Sequence, residues 1–344
     1  MGAGTVHRTP TRRVGLVLNP TSGRGRGAKV RDRVVAGLAG AGLDAVDLSG
    51  TDLAAAVSRA RAGLAQGLDA LVVVGGDGMV HLGANVVAGT GVPLGVVAVG
   101  TGNDVARDLG LPVHDVDASL AVIRDGLASL STGTSSAAGS TAQGSSATER
   151  LGPAGVRMVD AVAVSRPGGP TEHWYMAVFS CGIDAAVNDR ANRMTWPSDG
   201  GRYVRALLAE LGAFRPFGYR VTMDGEVWEG DGTLVAVANT RSFGGGLLIA
   251  PDAEPDDGLL EVVIADGLRR SELLRIFPRL YRGTHVSHPA VQVRRARSVV
   301  VEPLLSRGAA PPVAFADGER LDALPLQCDL HPRAVGVLAR SLGA

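Results

Sequence analysis

Leu71–Pro112 reads LVVVGGDGMVHLGANVVAGTGVPLGVVAVGTGNDVARDLGLP, and it holds one device twice. An apolar, largely β-branched run (Leu71–Val74, then Leu94–Val99) meets a glycine turn carrying an aspartate, and helical spacing follows. A short apolar run bounded by turns is how a parallel strand buried on both faces reads. A strand–glycine turn–helix unit aims backbone N–H groups and a helix N-terminus at one point, and glycine lets the backbone approach a phosphate without a clashing Cβ. Asp77 and Asp104 would repel a bare phosphate. They make sense where a cation stands between them and the phosphates, or where a proton is handled. Two such turns in consecutive units predict a nucleoside-triphosphate site at the carboxyl edge of one sheet.

Upstream, Val14–Leu18 reads as a strand that runs into Asn19-Pro20-Thr21-Ser22-Gly23-Arg24-Gly25-Arg26-Gly27, with helical spacing from Ala28 to Ala39. Ala45–Leu48 is a further strand, Thr51-Asp52 caps a helix reaching Gln66, and another helix runs from Asp115 to about Leu127. Strands alternating with helices at this interval predict a parallel sheet covered on both faces, with all three glycine turns at the strand ends where ligands sit. Residues 1–12 read as a flexible tail, and residues 13–128 as the α/β nucleotide-binding domain. Residues 129–155 collapse into Ser, Thr, Ala and Gly and cannot bury enough apolar surface to offset ordering entropy, so they read as a disordered insertion.

From Val156 the pattern turns to period two with hairpin signals. Val156–Val164 and His173–Cys181 pair around Arg166–Pro170, and Tyr219–Trp228 turns at Asp224-Gly225. Thr233–Asn239, Leu259–Ala265, Val291–Glu302 and Val313–Phe315 continue the strands, and helices cover Arg202–Ala213 and Ser271–Tyr281. Residues 156–325 therefore predict a mostly antiparallel β-sandwich. The closing strands, Gln327–Leu330 and Ala334–Ala339 within 326–344, are expected to return to the first domain.

Composition excludes several function classes. Aromatics make up 4% of the chain and the formal net charge is zero, which argues against a stacking or electrostatic platform for nucleic acid. Two cysteines, Cys181 and Cys328, make neither a disulfide framework nor a zinc spacing, and they suit a reducing cytoplasm. No run approaches the ~20 apolar residues of a membrane span. The N-terminus lacks the apolar core of a signal peptide, and Val6 stands where a myristoylation motif wants Ser or Thr.

Gly75-Gly76-Asp77-Gly78 followed by Gly100-Thr101-Gly102-Asn103-Asp104-Val105-Ala106-Arg107 resembles the diacylglycerol kinase catalytic family, which includes bacterial lipid kinases and sphingosine kinases. NAD kinases and phosphofructokinases share the first motif and lack the second. The chain departs from the family where Met79 replaces the usual Thr and His81-Leu82 replace Asn-Glu. The resemblance implies an N-terminal domain like that of NAD kinase and phosphofructokinase, a C-terminal β-sandwich, and ATP and Mg2+ as cofactors. It implies phosphoryl transfer to a lipid alcohol, diacylglycerol first among them, with sphingoid-type lipid kinase, NAD kinase and a silent nucleotide- or lipid-binding regulator as rival readings. It also implies a cytoplasmic protein that touches the membrane surface transiently, and it leaves room for a homodimer.

Carried over residue by residue, the nucleotide would be held by Asn19, Pro20, Thr21, Ser22 and Gly23, by Gly75, Gly76, Asp77, Gly78 and Met79, and by Gly100, Thr101, Gly102 and Asn103. An alcohol nucleophile needs a base. The family's Asp-Gly-Glu turn matches Asp317-Gly318-Glu319, which favours Glu319 over Asp77 as proton acceptor. Asp77 would then organise magnesium and Asp104 would support that charge. A second such tripeptide, Asp224-Gly225-Glu226, shows that the pattern alone is cheap. Phe179–Asp184 resembles a turn whose aspartate faces the acceptor lipid, and Asp184 reads equally as a helix N-cap. Ala250–Leu260 resembles a loop holding structural magnesium through Asp257, with Glu254 and Leu259 contributing by backbone. The histidines show no ligand spacing and read as ordinary surface or core residues.

Overall fold

The computed structural model describes residues 12–19, 27–132, 155–194 and 201–340. In chain order the first half is β1 (Arg13–Leu18), α1 (Gly27–Gly40), β2 (Asp44–Asp47), α2 (Leu53–Ala65), β3 (Ala70–Gly75), α3 (Asp77–Val87), β4 (Leu94–Ala98), α4 (Asp104–Asp108) and α5 (Val116–Thr132). The order β2-β1-β3-β4 is parallel throughout. Alternate residues explain the unbroken apolar runs. Val14, Leu16, Val72, Val74 and Val97 pack on Val34 and Leu38 of α1 and on Ile123 and Leu127 of α5. Val17, Leu71, Val73 and Val96 pack on the opposite face with Ala56 and Ala60 of α2 and Val80 and Ala84 of α3. Each fully buried Val or Leu contributes roughly 1.5–3 kcal/mol, so two filled faces specify the register firmly. Asp52 caps α2 by accepting the Ala55 N–H at 2.8 Å.

The second half continues with β5 (Val156–Ser165), β6 (Thr171–Tyr175), β7 (Val178–Gly182), α6 (Ile183–Arg193), α7 (Gly201–Ala213), β8 (Phe217–Met223), β9 (Glu226–Ala238), β10 (Ser242–Phe243), β11 (Leu247–Leu248) and β12 (Leu260–Asp266). It closes with α8 (Arg270–Leu280), β13 (Val291–Ala296), β14 (Ser298–Pro303), β15 (Phe315–Ala316), β16 (Glu319–Arg320) and β17 (Leu326–Leu338). Apart from the β10–β11 hairpin, all strands belong to one mixed sheet. Its parallel N-terminal part gives way to an antiparallel part that folds over a second core of Tyr175, Phe179, Tyr219, Val221, Val235, Val237, Val262, Ile264 and Val299. The buried tyrosine hydroxyls are matched: Tyr175 donates to the Val237 carbonyl at 3.0 Å and Tyr219 to that of Cys181 at 3.2 Å. Cys181 and Cys328 are free and buried. Among the described residues no helix is long and apolar enough to cross a membrane.

The structure differs from the sequence reading at particular points. His173–Cys181 is two strands, because Asp317 takes the N–H groups of Met176 and Ala177 that a ladder would have used. Trp228 and Thr233 lie on one strand, β9, whose first half pairs with β8 and whose second half pairs with β7 and β12. Val291–Glu302 breaks at Arg297, where Asp224 accepts the N–H groups of Arg297 and Ser298. The two closing segments form the single strand β17, irregular between His331 and Val335, where Asp160 accepts the Arg333 N–H at 2.7 Å. β17 pairs antiparallel with β5 and β14 and parallel with β4 at Val337↔Leu94, which ties the chain's end to the first half. α5 runs to Thr132, so residues 129–132 are helical. The rest of the Ser/Thr/Ala/Gly segment (133–154), the N-terminal tail up to residue 11, and Pro20, Thr21, Ser22 and Gly23 lie outside the described residues.

Candidate active site

The two glycine turns touch. A Cβ at Gly100 would stand 2.7 Å from the Gly76 backbone nitrogen, so neither turn could carry a side chain there and keep this approach. Asn103 fixes the second turn. Its backbone is left-handed (φ 60°), its Oδ1 accepts the Gly100 N–H at 3.1 Å, and its Nδ2 donates to the Gly100 carbonyl at 2.8 Å. An asparagine tolerates that conformation better than most residues. Asn19, at the end of β1, joins the same edge, its N–H donating to the Val74 carbonyl at 3.3 Å.

Asp77 opens α3 and Asp104 opens α4, which brings their carboxylates to either side of Gly102. A Cβ at Gly102 would lie 2.5 Å from Asp77 Oδ2 and 3.7 Å from Asp104 Oδ2. Burial first, then the charge of Asp104 and more weakly that of Asp317, pushes the Asp77 carboxyl up to about 6; N–H groups of Val105 and Asn103 oppose the shift. The Val105 N–H reaches Asp77 Oδ1 at 3.2 Å. Asp104 is differently placed. Arg107 pairs with its Oδ1, the Ser242 hydroxyl lies 3.4 Å from that oxygen, and the Gly245 N–H donates to Oδ2 at 2.7 Å. Both of its oxygens are therefore engaged in fixing the β10–β11 hairpin onto α4. Asp108 reinforces this by accepting the Ser242 N–H at 3.0 Å, and burial raises its pKa.

The Asp317-Gly318-Glu319 turn joins β15 to β16 and reaches the same place from the far end of the chain. Glu319 Oε1 lies 2.5 Å from where a Cβ at Gly78 would stand, directly over the first turn of α3. Asp317 is the anchor. Its buried carboxylate accepts the N–H groups of Met176 at 3.0 Å and Ala177 at 2.8 Å, and its Oδ2 lies 3.3 Å from Nδ1 of buried His81 on α3. The turn is thus bolted to the Met176–Ala177 link between β6 and β7 and to α3 through His81.

His81 is the residue that sequence reasoning missed. Its one signal was the departure from the family's Asn at that position, and its partner lies 236 positions away. Leu82 and Met79 are both buried. Met79 folds beneath Gly75, so only its backbone can face a ligand.

α6 packs on the other side of the turn, with Asn188 Nδ2 donating to the Gly318 carbonyl at 3.3 Å. Asp184 sits one helical turn before Asn188, on the same face. Gly182, not Asp184, is the N-cap of α6, and Asp184 belongs to its first turn. The Asp184 residue is partly exposed, yet its Oδ1 is sealed from solvent with no hydrogen-bond partner among the described residues. Burial pushes its carboxyl up to about 6 against the Ser180 hydroxyl and the Ala185 N–H.

In the Ala250–Leu260 loop Asp256 and Asp257 are each engaged within the protein, beside Asp160, which accepts the Gly258 N–H at 2.8 Å. Asp257 Oδ1 accepts the Leu259 N–H at 2.9 Å, its Oδ2 lies 4.0 Å from Arg295, and Asp256 pairs with Arg157 at 3.1 Å. Glu254 is likewise engaged within the protein. Among the described residues no three His, Cys, Asp or Glu side chains converge to hold a metal; the expected set offers one side chain, Asp257, with Glu254 and Leu259 contributing backbone oxygens.

Residues 13–134 match the diacylglycerol kinase catalytic domain model, and residues 177–339 match the YegS C-terminal NAD kinase beta sandwich-like domain. The chain is 37% identical over 340 residues to the diacylglycerol kinase of Mycobacterium tuberculosis, covering 98% of each. It is 24% identical over 302 residues to that of Bacillus subtilis, covering 84% of this chain and 86% of the relative. Human sphingosine kinase 2 matches at 36% over 126 residues, covering 36% of this chain and 18% of that protein. A crystal structure of a diacylglycerol kinase from Bacillus anthracis shares the fold, with a TM-score of 0.64 at 18% identity, covering 97% of this chain and 99% of that one.

Proposed function

Because the chain belongs to the diacylglycerol kinase family, we propose that it transfers the γ-phosphoryl group of ATP to the hydroxyl of a lipid alcohol, with diacylglycerol as acceptor and phosphatidic acid as product. The observation that carries this reading is the meeting of Glu319 with the Gly78 backbone at the start of α3, beside the paired glycine turns. It puts a carboxylate from the second half of the chain within reach of groups suited to phosphates.

In this reading the glycine turns and the first N–H groups of α3, which have no partner within the helix, hold the phosphates. The acceptor hydroxyl oxygen attacks the γ-phosphorus, the bond to the β–γ bridging oxygen breaks, and ADP leaves. Glu319 takes the hydroxyl proton as that bond forms. Asp317 and His81 hold the turn that carries Glu319, and Asp104 holds the hairpin that closes the site. Asp184, one turn of α6 before the Asn188 that contacts the Asp317-Gly318-Glu319 turn, receives the acceptor.

A divalent cation fits Asp77. Its carboxyl is raised by burial and by neighbouring negative charge, and among the described residues no cation pairs with it. Magnesium takes one or two carboxylates and fills its shell with phosphate oxygens and water, so a three-carboxylate cage is not required. Bound there, it would neutralise charge developing on the transferred group.

The test is purified protein with γ-labelled ATP against diacylglycerol, a sphingoid base and NAD in mixed micelles. Label on diacylglycerol supports the reading. Label on NAD alone, or nucleotide binding with no labelled acceptor, contradicts it.

A further inference from the structure

The end of α8 presents a surface that the reaction at Glu319 does not use. Leu273, Ile276 and Leu280 turn inward and pack against the core shared with β12 and the hairpin. Leu274, Pro278 and Tyr281 follow one another at helical spacing on the outer face; Leu274 is 56% exposed and Tyr281 60%. The Tyr281 ring stands on Phe277, with centroids 6.1 Å apart. Arg275, Arg279 and Arg282 form the adjacent row, one residue further along each turn, and all three are exposed. Between 269 and 282 the sequence carries five arginines against a single acid, Glu272, whose carboxylate accepts the Arg269 N–H at the helix start. None of the three guanidinium groups in the row has an ion pair or hydrogen bond among the described residues. The protein as a whole has zero formal net charge, so this density of unpaired cations is local.

Its position matters as much as its chemistry. Gly283, just past the helix, packs against Pro251 and Leu248. Leu248 lies on the same β10–β11 hairpin whose Gly245 N–H is bound by Asp104. At the other end, Arg270 donates to the Phe214 carbonyl at 3.5 Å, just beyond α7. The helix thus stands beside the hairpin that closes the site.

We infer that α8 and Tyr281 form a docking face for an anionic bilayer, with Leu274, Pro278 and Tyr281 entering the headgroup region and the arginine row pairing with lipid phosphates. A helix with a basic row beside an apolar stripe lies in the membrane plane, and its affinity has a hydrophobic part and an electrostatic part. Charge complementarity selects this occupant over a second copy of the chain. A second copy would set the arginine row of one molecule against that of the other, or against a surface of no net charge. The inference rests on the lipid-kinase reading for why such a face exists; the binding itself is measured without ATP.

The experiment is co-sedimentation of the full chain with vesicles of phosphatidylcholine, with and without about one-third phosphatidylglycerol. Wild type should partition onto the anionic vesicles and be released by salt. Each of Arg275→Ala, Arg279→Ala and Arg282→Ala should weaken partitioning about fivefold, the equivalent of roughly 1 kcal/mol per basic residue. Leu274→Asp should weaken it about tenfold or more, with the melting temperature unchanged because the side chain is exposed. Activity on a short-chain, monomeric acceptor should be preserved in all four. Wild-type partitioning by the arginine variants would overturn the inference even if Leu274→Asp failed to fold. A dimer that Leu274→Asp converts to monomer would overturn it too, making the face a contact between copies. Vesicle binding that depends on α8 in a protein that phosphorylates no lipid would uphold the docking face and sink the kinase reading alone.

Discussion

Replacing Asp77 with asparagine should make the protein more stable and nearly inactive at once. The carboxyl titrates at about 6, against 3.8 for an unperturbed aspartate. A folded-state pKa above the unfolded one means that the native state binds the proton more tightly, so keeping Asp77 ionised at pH 8 costs on the order of 3 kcal/mol. That cost is fully present above about pH 6 and fades as pH falls through 6 towards 4. Asparagine removes the charge and keeps an oxygen for the Val105 N–H at Oδ1. We expect Asp77→Asn to gain about 1–3 kcal/mol at pH 8, a rise of a few degrees in melting temperature, with the gap mostly closed by pH 4.5. Asp184 titrates in the same range, but it is common to both proteins and cancels. Turnover should fall by two to three decades, since losing one charge contact with the transition state costs ~3–4 kcal/mol. Thermal melts at pH 8 and pH 4.5, beside steady-state rates, check both halves. A variant destabilised equally at the two pH values would show that Asp77 carries no buried-charge cost, and one that keeps the wild-type kcat would remove Asp77 from the site.

Three further substitutions follow from the same geometry. Gly100→Ala forces a Cβ onto the Gly76 backbone, which cannot rotate away; it should cost about 1–3 kcal/mol in denaturant unfolding and raise the KM for ATP. Asp317→Ala leaves the buried N–H groups of Met176 and Ala177 without an acceptor. At roughly 1–3 kcal/mol for each orphaned group, urea unfolding should show a large loss, with activity falling in parallel. Asp184→Ala should raise the KM for the lipid about tenfold with the KM for ATP unmoved; a melting temperature unchanged or higher at pH 8 would separate this from loss of a helix cap.

Much of the first half was legible because a parallel strand buried on both faces has to be apolar without interruption, as β3 and β4 are. Their glycine turns were legible because close backbone approach admits no other residue. The helix cap at Asp52 is a local device and could be read locally. What could not be read was set by contacts between distant positions. His81 meets Asp317 across 236 positions, and Asp104 meets Gly245 across 141. Nothing in the neighbourhood of either residue announces its partner. The break at Met176–Ala177 has the same origin, since a period-two run continues on paper until a side chain from elsewhere claims its N–H groups. Asp184 shows the limit differently. Its turn resembles a cap, while the cap falls on Gly182 and the carboxylate keeps a sealed oxygen with no partner among the described residues, which only the three-dimensional structure reveals.

We propose that Glu319, brought onto the start of α3 by the Asp317 turn, accepts the proton of a lipid hydroxyl during phosphoryl transfer. The most direct test is the rate of label transfer from γ-labelled ATP to diacylglycerol by wild type and by Glu319→Gln, each at saturating ATP. A positioned base contributes typically 10²–10⁴-fold, so the variant should lose about that much in kcat while its KM for ATP stays within about twofold. Labelling of diacylglycerol by Glu319→Gln at the wild-type kcat, with the KM for ATP raised instead, would contradict the account and make Glu319 a nucleotide-binding residue.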